Sequence, residues 1–316
     1  MVVKHPAAPM TTDIDILQLP DAWQVVEGFP QPDWKLIGEH IRQTADQEHL
    51  KEAWDKASLQ WLGVIKEKLG PDNMIFGSQN FLLLSKKSKI SATYLLNVAE
   101  NSLVSIRNDL KELAWRWEFG KHAIIIFEDL DEYYRYISYF YPDEGEFITS
   151  AGIFLNRGYC HTAMSIQRDY TRTLIHELTH LSVAHLKVPR WLNEGLATTT
   201  EEKVTGLMSY RINEETLKQH QEYWNHDTIQ DFWSGKSFGT VGDPSKLSYG
   251  LAEILVNNMR SDFGSDVHLF VLAAKYEDAG ESAALEHLGV SLNEVAATFL
   301  GDGDWTPTIS ATTGTE

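Results

Sequence analysis

Thr171 to Leu181 reads TRTLIHELTHL, an apolar helical pattern that carries His176, Glu177 and His180 in its middle. Leu174, Ile175, Leu178 and Leu181 recur at helical spacing, no Gly or Pro interrupts the run from Asp169 to Leu186, and Pro189 closes it. Such a helix is buried on most sides, and buried polar groups without partners are costly. The fold must therefore supply partners for these three side chains. His176 and His180 share one face, with Cβ atoms roughly 5–6 Å apart, close enough to hold one metal ion. Glu177 falls beside that face and can reach a metal-bound water. Fourteen positions after His180, Glu194 stands in Trp191-Leu192-Asn193-Glu194-Gly195, which opens a second helical stretch. Glu194, Ala197, Thr198 and Glu201 share a face there at i, i+3, i+4 and i+7, so Glu194 can point at the same metal. Two His and a carboxylate that leave one tetrahedral position open describe a catalytic zinc site. The residues predict one Zn2+ ion on His176, His180 and Glu194, Glu177 as general base, and a zinc-dependent metallopeptidase. A surface helix with two His four apart by chance is the competing reading. The flanking leucines and Glu194 weigh against it.

The segment HELTHLSVAHLKVPRWLNEGLATTTEE, residues 176–202, resembles the gluzincin metallopeptidases and most closely the peptidase MA-like family. The likeness extends more weakly over about residues 75 to 300, through SYGLAEILVNNMRSDFG from Ser248 and ESAALEHLGVSLNEVAATFL from Glu281. It implies a zincin-like fold, the same three zinc ligands and the same general base. NEGLATTTE is also similar to the zinc-binding segment of the gluzincin aminopeptidases. That likeness implies that Glu201 accepts the free ring N–H of a ligand His; a solvated helix carboxylate is the alternative. Gluzincins draw an oxyanion donor from the helical half that follows, which points to Tyr249, a rim or core tyrosine otherwise, with His226 and His268 behind it. The aminopeptidases also carry a Gly-Ala-Met-Glu-Asn strand. Here Gly158 to Ser165 has no carboxylate, so endopeptidase action is expected over aminopeptidase action. The metzincin spacing fails, because Val183 and Leu186 stand where it needs Gly and His. An edge strand for substrate addition is expected at Thr149 to Leu155 or at Thr162 to Ile166. Two other readings stay open: a zinc- and peptide-binding module that no longer cleaves, and a zinc hydrolase of a non-peptide amide or ester.

The 316 residues carry 45 acidic and 27 basic side chains, a net charge of −18, which argues against nucleic acid and anionic membrane surfaces as partners. A peptide or protein substrate is the expected partner. One cysteine, Cys160, permits no internal disulfide. No apolar run approaches a membrane span and Met1 to Asp15 lacks a signal-peptide core, so a cytoplasmic protein is expected. The pattern predicts an α+β chain: a small mixed sheet over the HExxH helix and a mostly helical C-terminal lobe. Residues 1–33, with five prolines, read as an extended leader. Residues 34–120 read as helical with one strand, 121–205 as the sheet and zinc-helix half, 206–301 as the helical half and 302–316 as a disordered tail. Expected helices include Leu50 to Leu69, a long one capped by Ser91, the tyrosine-rich Asp129 to Tyr141, and a last one started by a Ser291–Glu294 capping box. His226 to Lys246 reads as a loop.

Overall fold

The structure, a computed structural model, describes residues 14–115, 119–141, 150–166, 170–208 and 212–308. The architecture is α+β. The described residues form two compact units, one within Met1–Asn101, Arg116–Pro142 and Ala151–Leu174, the other within Ser102–Trp115, Asp143–Ser150 and Ile175–Glu316. Among them no helix is long and apolar enough to cross a membrane.

The first unit opens with a two-stranded antiparallel ribbon, β1 (Trp23–Val26) and β2 (Phe29–Pro32). Helices α1 (Trp34–Thr44) and α2 (Leu50–Leu69) follow. Ile14, Ile16 and Phe29 are fully buried, and the Gln60 side chain accepts from Ile16 N at 3.0 Å. Where an extended leader was expected, residues 14–33 thus form a 3-10 turn and a paired ribbon that send Ile14, Ile16, Ala22 and Phe29 into the core. Residues 1–13 lie outside the described residues. The prolines are no obstacle, because a two-stranded ribbon leaves one side of each strand free of ladder bonds.

A five-stranded sheet has the order β3-β4-β5-β7-β6, with β3 Met74–Gly77, β4 Phe81–Ser85, β5 His122–Phe127, β6 Gly152–Leu155 and β7 His161–Ser165. β4, β5 and β7 run parallel, and β3 and β6 flank them antiparallel. Every residue of the three central strands is buried, as parallel strands covered on both faces require. Where one strand was expected in residues 34–120 there are two. Their turn is closed by a distant carboxylate: Glu100 accepts from the Ser78 hydroxyl, Asn80 N and Asn80 Nδ2 at 2.6–2.7 Å. β7 is paired on both sides, so of the two segments expected to offer a free edge only β6 does. Its expected beginning at Thr149 lies outside the described residues.

Helix α3 (Lys89–Leu110) starts two residues before Ser91, whose N–H donates to the Ser88 hydroxyl at 3.3 Å. Helix α4 (Leu130–Ser138) is capped by Asp129. Its Tyr133 and Tyr136 are fully buried, so they serve packing. Cys160 is buried, its thiol donates to Asn156 Oδ1, and burial pushes its pKa up to about 12. It behaves as a small apolar side chain.

In the second unit lie most of α5 (Tyr170–Val183) and all of α6 (Arg190–Thr205), α7 (Glu214–Tyr223), α8 (Thr228–Trp233), α9 (Asp243–Phe263), α10 (Asp266–Ala273), α11 (Glu281–His287) and α12 (Leu292–Leu300). The expected Ser291–Glu294 capping box starts α12. The expected loop from His226 to Lys246 is instead α8, a short 3-10 turn and the start of α9, with Phe232, Trp233 and Phe238 buried. Residues 302–308 are equally well held. Trp305 is 7% exposed, its Nε1 donates to Gly301 O, and its carbonyl accepts from Trp233 Nε1. One indole anchors what the polar composition made look like a tail; residues 309–316 lie outside the described residues.

Candidate metal centre

The hydroxyls that polarise α5 are satisfied within it. Thr179 Oγ1 donates to Ile175 O and Ser182 Oγ to Leu178 O, so the helix buries its face without orphaned hydroxyls. His176 and His180 find their partners on α6. α6 is held at its start by Trp191, which is fully buried, packs edge-on against Trp233 at 5.4 Å and donates through Nε1 to Ala279 O. One residue beyond Glu194, Gly195 sits where α6 crosses α9. A Cβ there would stand 2.6 Å from Val256 Cγ2 and 2.7 Å from Ala252 O, so no larger residue fits without moving a helix.

His176 Nε2 lies 3.3 Å and His180 Nε2 3.4 Å from one atom, Glu194 Oε2. Both contacts fall off the hydrogen-bond directions: Oε2 is enclosed and has no hydrogen-bond partner among the described residues. Ligand atoms around a tetrahedral zinc with bonds of about 2.0–2.1 Å stand about 3.3–3.4 Å apart. Distances and donor set therefore fit a metal ion, and these three residues are the group of metal-ligating side chains found among the described residues. The other nitrogen of each ring and the other oxygen of Glu194 also have neighbours. Glu201 Oε2 lies 3.3 Å from His176 Nδ1, and Asn193 Oδ1 lies 3.0 Å from His180 Nδ1. A neutral ring that donates through Nδ1 to these oxygens presents Nε2 as a lone pair. Arg190 Nε approaches Glu194 Oε1 at 3.7 Å, leaving Oε2 to face the imidazoles.

The electrostatics call for a cation. Burial lowers the pKa of His176, but its contacts with Glu194 and Glu201 and the charge of Glu177 outweigh this and raise it to about 10. Burial would raise the Glu194 carboxyl, but the charge of His180 and contacts with both histidines hold it well below the usual range. Glu177 is 6% exposed. Tyr249 lies in the second turn of α9, its ring 6.4 Å from that of His176 and 5.2 Å from Phe238. Burial first, then the charges of Glu194 and Glu177, push its hydroxyl far above the ordinary phenol range. It stays a proton donor at neutral pH.

The structure thus brings together His176, Glu177, His180, Glu194, Glu201 and Tyr249. It takes the other histidines elsewhere. His226 faces Asp304, His268 Nδ1 bonds Glu112 at 2.7 Å, and the His185 ring packs against Trp115. Asn193 and Arg190 escaped the sequence reading. Asn193 stands beside Glu194 in the motif itself, and Arg190 precedes Glu194 by four, one helical turn, the spacing at which side chains meet. Behind the site, Asp109 of α3 accepts from Thr200 and Lys203 of α6 and from Arg260 of α9, clamping the three helices together. No family model and no curated protein matches this chain.

Proposed function

We propose that this protein is a zinc-dependent metallopeptidase of zincin-like fold and gluzincin type, acting on internal peptide bonds. The observation that carries the reading is the convergence of His176 Nε2, His180 Nε2 and Glu194 Oε2 at tetrahedral-edge distances beside a buried Glu177. Zinc, when bound, supplies a Lewis acid and a water acidic enough to react at neutral pH. Glu177 takes the proton of the attacking water and returns it to the leaving amine, general acid–base work worth about 10²–10⁴ in rate. Tyr249, kept protonated, donates to the oxygen that gains charge on the scissile carbonyl. Glu201 and Asn193 fix the ring tautomers. The stretch from Gly158 to Ser165 offers no carboxylate to a free substrate amine, which favours endopeptidase action.

The test is digestion of a diverse peptide pool by wild type and Glu177→Gln, each loaded with one equivalent of zinc. Wild-type cuts that vanish in the variant, at equal zinc content, support the reading. Equal zinc with no cuts by either protein overturns it and leaves a binding module. Turnover of a non-peptide amide or ester instead, lost in Glu177→Gln, reassigns the bond cleaved.

A further inference from the structure

Arg190 is the first residue of α6, preceded by Pro189, which gives the helix no side-chain cap. A cation is out of place there, because the start of a helix already carries partial positive charge. Its side chain is nevertheless held along its length. Gly235, at φ +79°, lays backbone against the stem, where a Cβ would stand 2.8 Å from Arg190 Cβ and 3.1 Å from Cδ. The guanidinium lies over the Phe238 ring, 5.7 Å from its centroid, and an aromatic face attracts a cation. The same ring meets that of Tyr249 edge-on at 5.2 Å. Arg190 Nε stands 3.7 Å from Glu194 Oε1. After burial and the Glu194 charge, Arg190 is the next group to act on the Tyr249 hydroxyl, by its own charge and by a side-chain hydrogen bond. One held guanidinium thus stands beside both the carboxylate that faces the imidazoles and the phenol next to them.

We propose that Arg190 is a positioning residue that sets the direction in which Tyr249 donates its proton. A phenol hydroxyl has one proton to give and lone pairs that accept, whereas a guanidinium only donates. At their contact the tyrosine oxygen therefore accepts, and its proton is turned towards another acceptor. Two carboxylates compete for that proton, since the charges of Glu194 and Glu177 both act on this hydroxyl. Arg190 draws on Glu194 Oε1 and weakens the first of them. A hydroxyl that accepts from a cation is also the stronger donor. On the metallopeptidase reading, on which this role rests, the proton is left for the carbonyl oxygen of the scissile bond. The planar fork of arginine serves two neighbours at once, which a lysine ammonium on a flexible stem does not.

The experiment is a double-mutant cycle on the full chain saturated with zinc: wild type, Arg190→Gln, Tyr249→Phe and the two together, with kcat and KM measured on a peptide that the wild type cuts. Arg190→Gln is expected to lower kcat about tenfold, the worth of one charge-assisted hydrogen bond, and to leave KM unchanged. In the Tyr249→Phe background the same change is expected to add almost nothing. Equal losses in both backgrounds, or a loss confined to KM, overturn the proposal. The contact is read without turnover from the Arg190 Nε–H signal of the zinc-free chain, labelled at its arginine nitrogens and assigned from Arg190→Lys. That signal is expected to shift in Tyr249→Phe. An unmoved signal overturns the role of Arg190 whether or not peptides are cut. A shifted signal in a protein that cuts no peptide sustains the contact and overturns the peptidase reading alone.

Discussion

His122 and His161, on the neighbouring strands β5 and β7 of the first unit, and His176 on α5 are all imidazoles drawn in from solvent, yet their surroundings drive the pKa of the first two down and that of the third up. Burial, helped by repulsion from His161, lowers His122 to about 3, and burial lowers His161 to about 4. Their partners are uncharged: the Thr162 hydroxyl for His122, the Tyr136 hydroxyl and Tyr159 carbonyl for His161. His176, with 15% of its side chain exposed, is also lowered by burial but rises to about 10, because three carboxylates crowd it. Burial alone therefore does not mark a ligand histidine. The carboxylates set His176 apart, since they turn a place for a neutral ring into one that favours positive charge. His122 and His161 are packing residues that happen to be imidazoles.

That contrast can be broken at its strongest point by Glu194→Ala, which removes the oxygen both Nε2 atoms face. Metal analysis after dialysis should fall from one zinc per chain to none, whereas His161→Ala should keep its zinc. With zinc in hundredfold excess over its Kd, the wild type should gain about 2.7 kcal/mol of stability that Glu194→Ala does not. The next effect is on pH. His122 and His161 are lowered in the folded chain, so below about pH 6.5 the unfolded chain binds more protons. Their contribution is complete above that pH and is lost as pH falls towards 4 and then 3. For His161 alone it amounts to roughly 3 kcal/mol. Urea titrations from pH 7 to 4 should show that slope, and His161→Phe should flatten it; an unchanged slope would dissolve the distinction. Loss of Arg190 or Asn193, in Arg190→Gln or Asn193→Ala, should weaken zinc about 10–100-fold by chelator competition. The smallest change sharpens the neutral pair: Tyr136→Phe strips His161 of one bond, costs about 1 kcal/mol, and leaves zinc affinity as it was.

Much of the centre could be read from spacing alone, because its residues sit on two consecutive helices where local periodicity decides direction. Leu50 to Leu69 was equally plain, since its apolar face and Gly70 stop are local signals. What escaped depends on distant partners. The β3–β4 turn is held by Glu100, fifteen residues past the hairpin. Residues 14–33 join the core through Gln60, and Trp305 finds its partner in Trp233. Polar and proline-rich stretches look loose until the group that ties them down arrives from elsewhere. Asn193 belongs to the same class, because its use is visible only once α6 has been set against α5.

Gly195 and Glu194 are adjacent, so the fulcrum at which α6 rests on α9 lies a single residue from the carboxylate oxygen that both imidazoles face. A lever arm that short transmits almost no displacement. Breathing of the outer helices should leave the carboxylate where it is, and only separation of α6 from α9 should swing it away. Ion release and loss of tertiary structure in the second unit would then be one event, with a shared midpoint when zinc liberation and near-ultraviolet circular dichroism are followed in the same thermal ramp.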